Sequence, residues 1–77
     1  MKFTAQQLAQ KFYDIPIAMT VLDGKVYAAY IGDWKAYDLP YTDPVVAQSA
    51  IEQGLFNKQE TGEIAGKPVT WYRNVRA

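Results

Sequence analysis

Residues 17–30 of the sequence read IAMTVLDGKVYAAY, which is two β-forming runs separated by Asp23 and Gly24. Asp-Gly tolerates the positive φ angles that both central positions of a type I′ turn require. Residue pairs then step outward from the turn, so that Val21 lies opposite Val26 and the hairpin has one register. This stretch predicts a tight antiparallel hairpin as the centre of the fold.

The predicted register sorts the hairpin side chains onto two faces, because successive residues of a strand point to opposite sides. The first face is apolar and consists of Ile17, Met19, Val21, Val26, Ala28 and Tyr30. The second face is mixed and consists of Ala18, Thr20, Leu22, Lys25, Tyr27, Ala29 and Ile31. We expect the first face to form the core and the second to remain half exposed.

Two short helices flank this hairpin. Thr4 followed by Gln7 is a capping box, which predicts a helix from about Ala5 to Tyr13. A second helix is expected to begin after Asp43, with Pro44 at its first position, and to end near Gly54. Its predicted buried stripe is Val46, Ala47, Ala50, Ile51 and Leu55.

The last third of the chain predicts a second hairpin, with strands at 61–65 and 69–75 around a turn at Gly66-Lys67. That register sets Glu60 opposite Arg73 and Ile64 opposite Val69. Pro68 cannot donate to a ladder, so the start of its strand is expected to lie at an edge. Residues 32–42 show no sustained period and predict a loop or a short helical turn.

These elements predict an α+β fold, a small antiparallel sheet of two hairpins with two short helices packed on one face, in the order α-β-β-α-β-β. The 77 residues, 49% of them hydrophobic, fit one domain over 1–77. No apolar stretch is long enough to cross a bilayer, so we expect no membrane association. So small a core also leaves a homodimer open.

Composition removes several chemistries. The chain has no Cys and no His, which excludes a disulfide, a thiolate nucleophile, an imidazole base and a Cys/His metal site. Asp33, Asp38 and Asp43 recur at a spacing of five, which matches neither one face of a helix nor a Ca²⁺ loop. We therefore expect no enzymatic activity, no metal and no cofactor, and the absence of Cys favours the cytoplasm.

One alternative is nucleic-acid binding. The segment 46–75, a helix followed by a glycine-containing hairpin, resembles the recognition helix and wing of a winged-helix protein, which implies a DNA-binding regulator. The cations that this reading assigns to nucleic acid are Lys58, Lys67, Arg73 and Arg76. The helix at 44–53, however, carries no Lys or Arg, whereas DNA-binding elements cluster cations at the contact.

Protein recognition is the favoured function. The chain has eleven aromatic residues, more than a small core can bury, and residues 14–55 carry six acids against two lysines. Tyrosine and tryptophan beside carboxylates are typical of binding surfaces. The predicted protein-binding residues are Tyr27, Asp33, Trp34, Tyr37, Asp38 and Tyr41. This character suits a small bacterial or phage accessory or inhibitor protein that docks stoichiometrically on a larger protein.

Overall fold

The computed structural model describes residues 3–76, which form two α-helices and one five-stranded antiparallel sheet. The elements in chain order are α1 (Ala5–Lys11), β1 (Ile17–Leu22), β2 (Lys25–Tyr30), β3 (Tyr37–Asp38), α2 (Pro44–Glu52), β4 (Lys58–Ile64) and β5 (Lys67–Arg73). The strands lie in the order β3-β2-β1-β5-β4. The predicted α+β class is therefore confirmed, and β3 is an addition to the predicted order.

The first hairpin has the predicted register at every pair, from Leu22 opposite Lys25 to Ile17 opposite Tyr30. Asp23 and Gly24 have φ angles of 53° and 75°, so both turn positions are left-handed as a type I′ turn requires. The turn residues alone were sufficient to predict this pairing because a two-residue loop leaves only one register.

Both helices begin at the predicted caps. The Gln7 amide donates to the Thr4 hydroxyl at 3.1 Å, and the Thr4 amide donates to the Gln7 side chain at 3.0 Å, which completes the capping box. At α2 the Val45 amide donates to Asp43 at 2.9 Å. Helix α1 ends at Lys11, two residues before the predicted end, and Tyr13 instead bridges to Asn74.

The main core lies between the two helices and the predicted apolar face of the first hairpin. Met19, Ala47 and Ala50 are fully buried, because two alanines on α2 let that helix approach α1 and the sheet closely. The other predicted stripe residues of α2, Val46, Ile51 and Leu55, pack partly buried against the same cluster. This arrangement confirms the predicted core face except at Tyr30, which is 52% exposed.

The second face of the hairpin is not half exposed as predicted. Ala18 and Ala29 are each 1% exposed and form a second buried cluster with Trp71 of β5. Side chains from the β4–β5 hairpin and from the segment after β2 complete this cluster, among them Ile64, Val69, Ile31, Trp34 and Ala36. The prediction failed because it gave this face no covering element, whereas the tail supplies a large ring.

Residues 37–38 form a strand where a loop or helical turn was predicted. Tyr37 pairs with Ala28 and Asp38 with Tyr27, and the Leu39 amide donates to the Val26 carbonyl at 2.9 Å. Two residues are too few to show the alternating pattern by which a strand is identified in a sequence. Strand β3 forms because it pairs with the otherwise free edge of β2. It forms one edge of the sheet.

The second hairpin turns one residue earlier than predicted. Its loop is Ala65-Gly66, with φ angles of 50° and 82°, so it is again a type I′ turn rather than type II′ at Gly66-Lys67. Glu60 therefore lies opposite Trp71, not Arg73, and Ile64 lies opposite Lys67, not Val69. The register moves by two residues, which preserves the faces and changes every partner.

Pro68 lies at a local edge of the sheet, as predicted, although its strand has a neighbour on each side. Strand β5 stands between β1 and β4. Its pairing with β1 is confined to Met19 and Tyr72, so Pro68 lies four residues beyond that contact. The proline is tolerated because β1 does not pair with β5 at that position.

We expect the Ala65→Asn substitution to stabilise the protein, because Ala65 holds a left-handed conformation that asparagine adopts at lower cost. The free energy of unfolding should rise by about 0.5–1 kcal/mol, measured by urea denaturation. Ala65→Val is the matched control and should lower it, since a β-branched residue is disfavoured at positive φ. A neutral or destabilising asparagine would contradict the turn assignment.

Candidate functional site

An apolar groove of about 500 Å³ lies on the helix side of the sheet, next to the β3 edge. We call it the tyrosine groove. Its lining includes Phe12, Ile17, Ala28, Tyr30, Tyr37 and Leu39. Strand β3, which contributes Tyr37 to the lining, is the edge strand on this side of the sheet.

The sheet register places the two tyrosines side by side. Tyr37 pairs with Ala28, and Tyr30 pairs with Ile17, so all four side chains share one face. The small side chain of Ala28 forms the floor between the rings. The rings of Tyr30 and Tyr37 meet edge to face, with centroids 6.4 Å apart and an interplanar angle of 83°.

Both groove tyrosines are substantially exposed, Tyr30 by 52% and Tyr37 by 45%. Tyr41, in the loop after β3, is completely exposed. The Lys35 ammonium lies 5.9 Å from the Tyr37 ring centroid, within range of a cation–π contact. These three rings, together with Phe3 and Tyr13 elsewhere on the surface, are the aromatic side chains that the fold leaves exposed.

The six predicted protein-binding residues do not form one surface. Tyr37 lines the groove, and Tyr41 and Asp33 are exposed in flanking loops. Tyr27 and Trp34 instead pack on the opposite face against the Trp71 cluster. Trp34 lies 6.1 Å from Trp71, centroid to centroid, so its ring covers the second cluster.

Sequence reasoning assigned Tyr30 to the core and missed it as a surface residue. Tyr30 does share the core face, but it is the last residue of β2 and lies beyond the reach of the helices. A large ring at the open end of a hairpin is the only sequence signal for this.

Asp38 has a distinct position at the β3 edge. Its partner in the register is Tyr27, so its side chain lies on the face opposite the groove. Asp33 and Asp38 are both exposed, and neither forms an ion pair within residues 3–76.

Asp43 caps α2, and the part of the chain that the structure describes contains no group of three potential metal ligands.

The four cations considered for nucleic acid are distributed along the second hairpin. Lys58 and Arg73 are directly opposite at one end, and Lys67 is six residues along β5 from Arg73, which is about 20 Å. Lys67 contacts Asp23 at 2.7 Å, and Arg76 contacts Asp14 at 3.4 Å. The hydrogen bond and the negative charge of Asp23 raise the pKa of Lys67. These contacts partly neutralise two of the four.

No protein-family model, curated protein or solved structure matched this chain. Among the described residues, 3–76, no helix is long and apolar enough to span a membrane. Function must therefore be inferred from the surface itself.

Proposed function

We propose that this protein is a non-enzymatic binding module that docks on another protein through the tyrosine groove. One observation supports this most strongly: two half-exposed tyrosine rings stand on an apolar groove. Tyrosine is enriched at energetically dominant interface positions because it combines a large apolar area with a polar hydroxyl and few rotatable bonds.

The groove is large enough to anchor an interface but not to complete one. A stable interface buries about 800 Å² on each partner and involves about 20–30 residues a side, whereas seven residues line the groove. The contact must therefore extend beyond the groove. Lys35, whose ammonium lies 5.9 Å from the Tyr37 ring centroid, provides a charged group at its border for this extension.

In this proposal the protein acts by binding its partner stoichiometrically and not by catalysing a reaction. The groove lining is apolar and contributes no carboxylate, and the chain has no histidine or cysteine to act as base or nucleophile. This mode of action is that of a small accessory or inhibitor protein, of the kind found in bacteria and their phages. A chain without cysteine suits a cytoplasmic setting.

The test compares two single-site variants of one bait. Tyr37→Ala removes a groove ring, and Tyr13→Ala is the matched control, because Tyr13 is 43% exposed and lies outside the groove. A partner captured by the wild type should bind Tyr37→Ala about 30-fold more weakly, as expected for a loss of about 2 kcal/mol at an interface anchor. Tyr13→Ala should change the affinity less than twofold.

Two outcomes would contradict the proposal. One is a partner that binds both variants as tightly as the wild type. The other is duplex DNA as the partner, with an affinity that falls steeply as salt is raised, because this behaviour shows phosphate neutralisation by cations. Circular dichroism of each variant would first establish that the fold is retained.

A further inference from the structure

The outer edge of β3 presents backbone groups that have no partner strand within residues 3–76. Tyr37 and Leu39 direct their backbone groups toward β2, as shown by the Tyr37–Ala28 pair and by the bond from the Leu39 amide to Val26. Because this direction alternates along a strand, Asp38 directs its N–H and C=O outward. The Ala36 side chain packs on the same face as Tyr27, which is opposite Asp38. Ala36 therefore directs its backbone groups outward as Asp38 does.

This free edge lies beside the tyrosine groove, and the two features share one residue. Tyr37 belongs to β3 by its backbone and to the groove by its side chain. A strand added to the edge would therefore direct alternate side chains toward the groove and the remaining ones toward the side of Asp38. One extended segment could satisfy both features at once.

The charge at this edge selects among possible occupants. Asp38 is exposed and has no ion-pair partner within 4 Å among residues 3–76. A strand residue opposite Asp38 would lie close to its carboxylate, so a lysine or arginine there is favoured and an acid is disfavoured. Antiparallel pairing of β3 with a second copy would bring two Asp38 side chains onto the same face, which argues against self-association here.

The opposite edge of the sheet does not combine a free strand edge with an adjacent apolar groove. Strand β4 is the other edge and carries charges of both signs at Lys58, Glu60 and Glu63, a pattern that protects edges from pairing. It also lies two strands away from β1 and does not contribute to the lining of the tyrosine groove.

We propose that the groove and the β3 edge together bind an extended segment of a partner protein, which adds to the sheet as a sixth strand. The segment carries a basic residue opposite Asp38 and apolar residues at the flanking positions, which enter the groove beside Tyr37. This inference rests on the proposed function and specifies its partner as an exposed, basic and apolar alternating strand.

The experiment titrates the ¹⁵N-labelled protein with a blocked six-residue peptide of alternating valine and lysine. The Asp38 and Ala36 amides should shift, and the Asp38 amide should gain protection from hydrogen exchange. Asp38→Lys should weaken binding at least tenfold, whereas Glu63→Lys, the matched charge reversal at an exposed acid of the other edge strand, should change it less than twofold. N-methylation of the peptide backbone on the side that pairs should abolish binding, because it removes the donors.

Each failure has a separate meaning. Shifts at Tyr30 and Tyr37 with full tolerance of N-methylation would overturn strand addition while leaving groove docking in place. Shifts confined to Thr61 and Glu63 of β4 would place the peptide at the wrong edge and overturn the inference. Two further results would overturn strand addition. One is that the peptide produces no shift at millimolar concentration. The other is that the protein forms a homodimer through the β3 edge, which Asp38→Lys disrupts. The Tyr37→Ala capture experiment decides the proposed function independently.

Discussion

Replacing Trp71 with alanine is expected to reduce the free energy of unfolding by about 3–5 kcal/mol, because it deletes a fully buried ring. Trp71 is 1% exposed and is the largest side chain of the second cluster. It contacts Trp34 and packs with Ala18 and Ala29, so it joins the tail of the chain to the first hairpin.

That loss is large compared with the total. A domain of this length has an unfolding free energy of about 4–12 kcal/mol, so Trp71→Ala should be largely unfolded at a modest urea concentration. The measurement is urea denaturation followed by far-ultraviolet circular dichroism, which does not depend on tryptophan fluorescence. A midpoint close to that of the wild type would show that the second cluster contributes little.

Gly62 provides an independent check on the same packing. A Cβ at Gly62 would lie 2.7 Å from the Trp71 Nε1 atom, closer than real contacts allow. Gly62 is paired with Val69 within β4, three residues before the Ala65-Gly66 loop, so the turn does not account for a glycine at this position. The structure gives a different reason, which is that the indole ring lies across the Gly62 backbone.

Gly62→Ala should therefore cost about 1–3 kcal/mol by overpacking, and Trp71→Phe should relieve much of that cost. The indole N–H of Trp71 is buried with no hydrogen-bond partner among residues 3–76, so phenylalanine at this position removes no hydrogen bond. A double-mutant cycle measures the coupling. Additive effects of the two substitutions would disprove the direct contact.

Replacing Asn74 with alanine is expected to cost about 2–4 kcal/mol. The Asn74 side-chain amide donates to the Ala9 carbonyl at 3.2 Å and to the Leu55 carbonyl at 3.0 Å. Its oxygen accepts from the Asn57 amide at 2.9 Å. One side chain thus holds the last turn of α1, the segment after α2 and the start of β4 against the end of β5.

The cost is high because part-buried carbonyls lose their donors, and an unsatisfied buried polar group carries its full desolvation penalty. Gln53→Ala is the matched control, since the exposed Gln53 amide donates only to Ser49 on its own helix, at 2.7 Å. The control should change stability by less than about 0.5 kcal/mol. Equal midpoints for the two variants in urea would contradict the role of Asn74.

Asn74→Asp tests the donors separately from the volume of the side chain. An ionised carboxylate would face two carbonyl oxygens, so its pKa should be raised in the folded protein relative to the unfolded chain. A raised folded pKa means that the folded state binds the proton more tightly, and the destabilisation relative to wild type should lessen as pH falls. Destabilisation that does not change with pH would indicate that only packing is lost.

The first hairpin and both helix starts were predictable because their signals are local. Asp23-Gly24 fixes a two-residue turn, and the turn fixes the register. Thr4 and Asp43 accept hydrogen bonds from amides two or three residues away. Such interactions can be predicted without considering the rest of the chain, because both partners lie within one turn of backbone.

The candidate site was only partly predictable for the same reason. The aromatic surplus is visible in the composition, but which rings remain exposed depends on what covers each face. Trp34 is covered because Trp71 reaches it from 37 positions along the chain, whereas Tyr30 is exposed although it shares the core face. The turn of the second hairpin was misplaced because Ala65 gives no local sign that it adopts a positive φ.

The sequence by itself determined the turn of the first hairpin, its register, its core face, the two capped helices and the α+β class. The tertiary structure alone decided the burial of the second face, the reason for Gly62, the strand at 37–38 and the closure by Asn74, whose partner Ala9 is 65 positions away. Hydrogen bonds and close contacts between distant residues leave no local pattern, because each side chain acquires its partner only when the chain has folded.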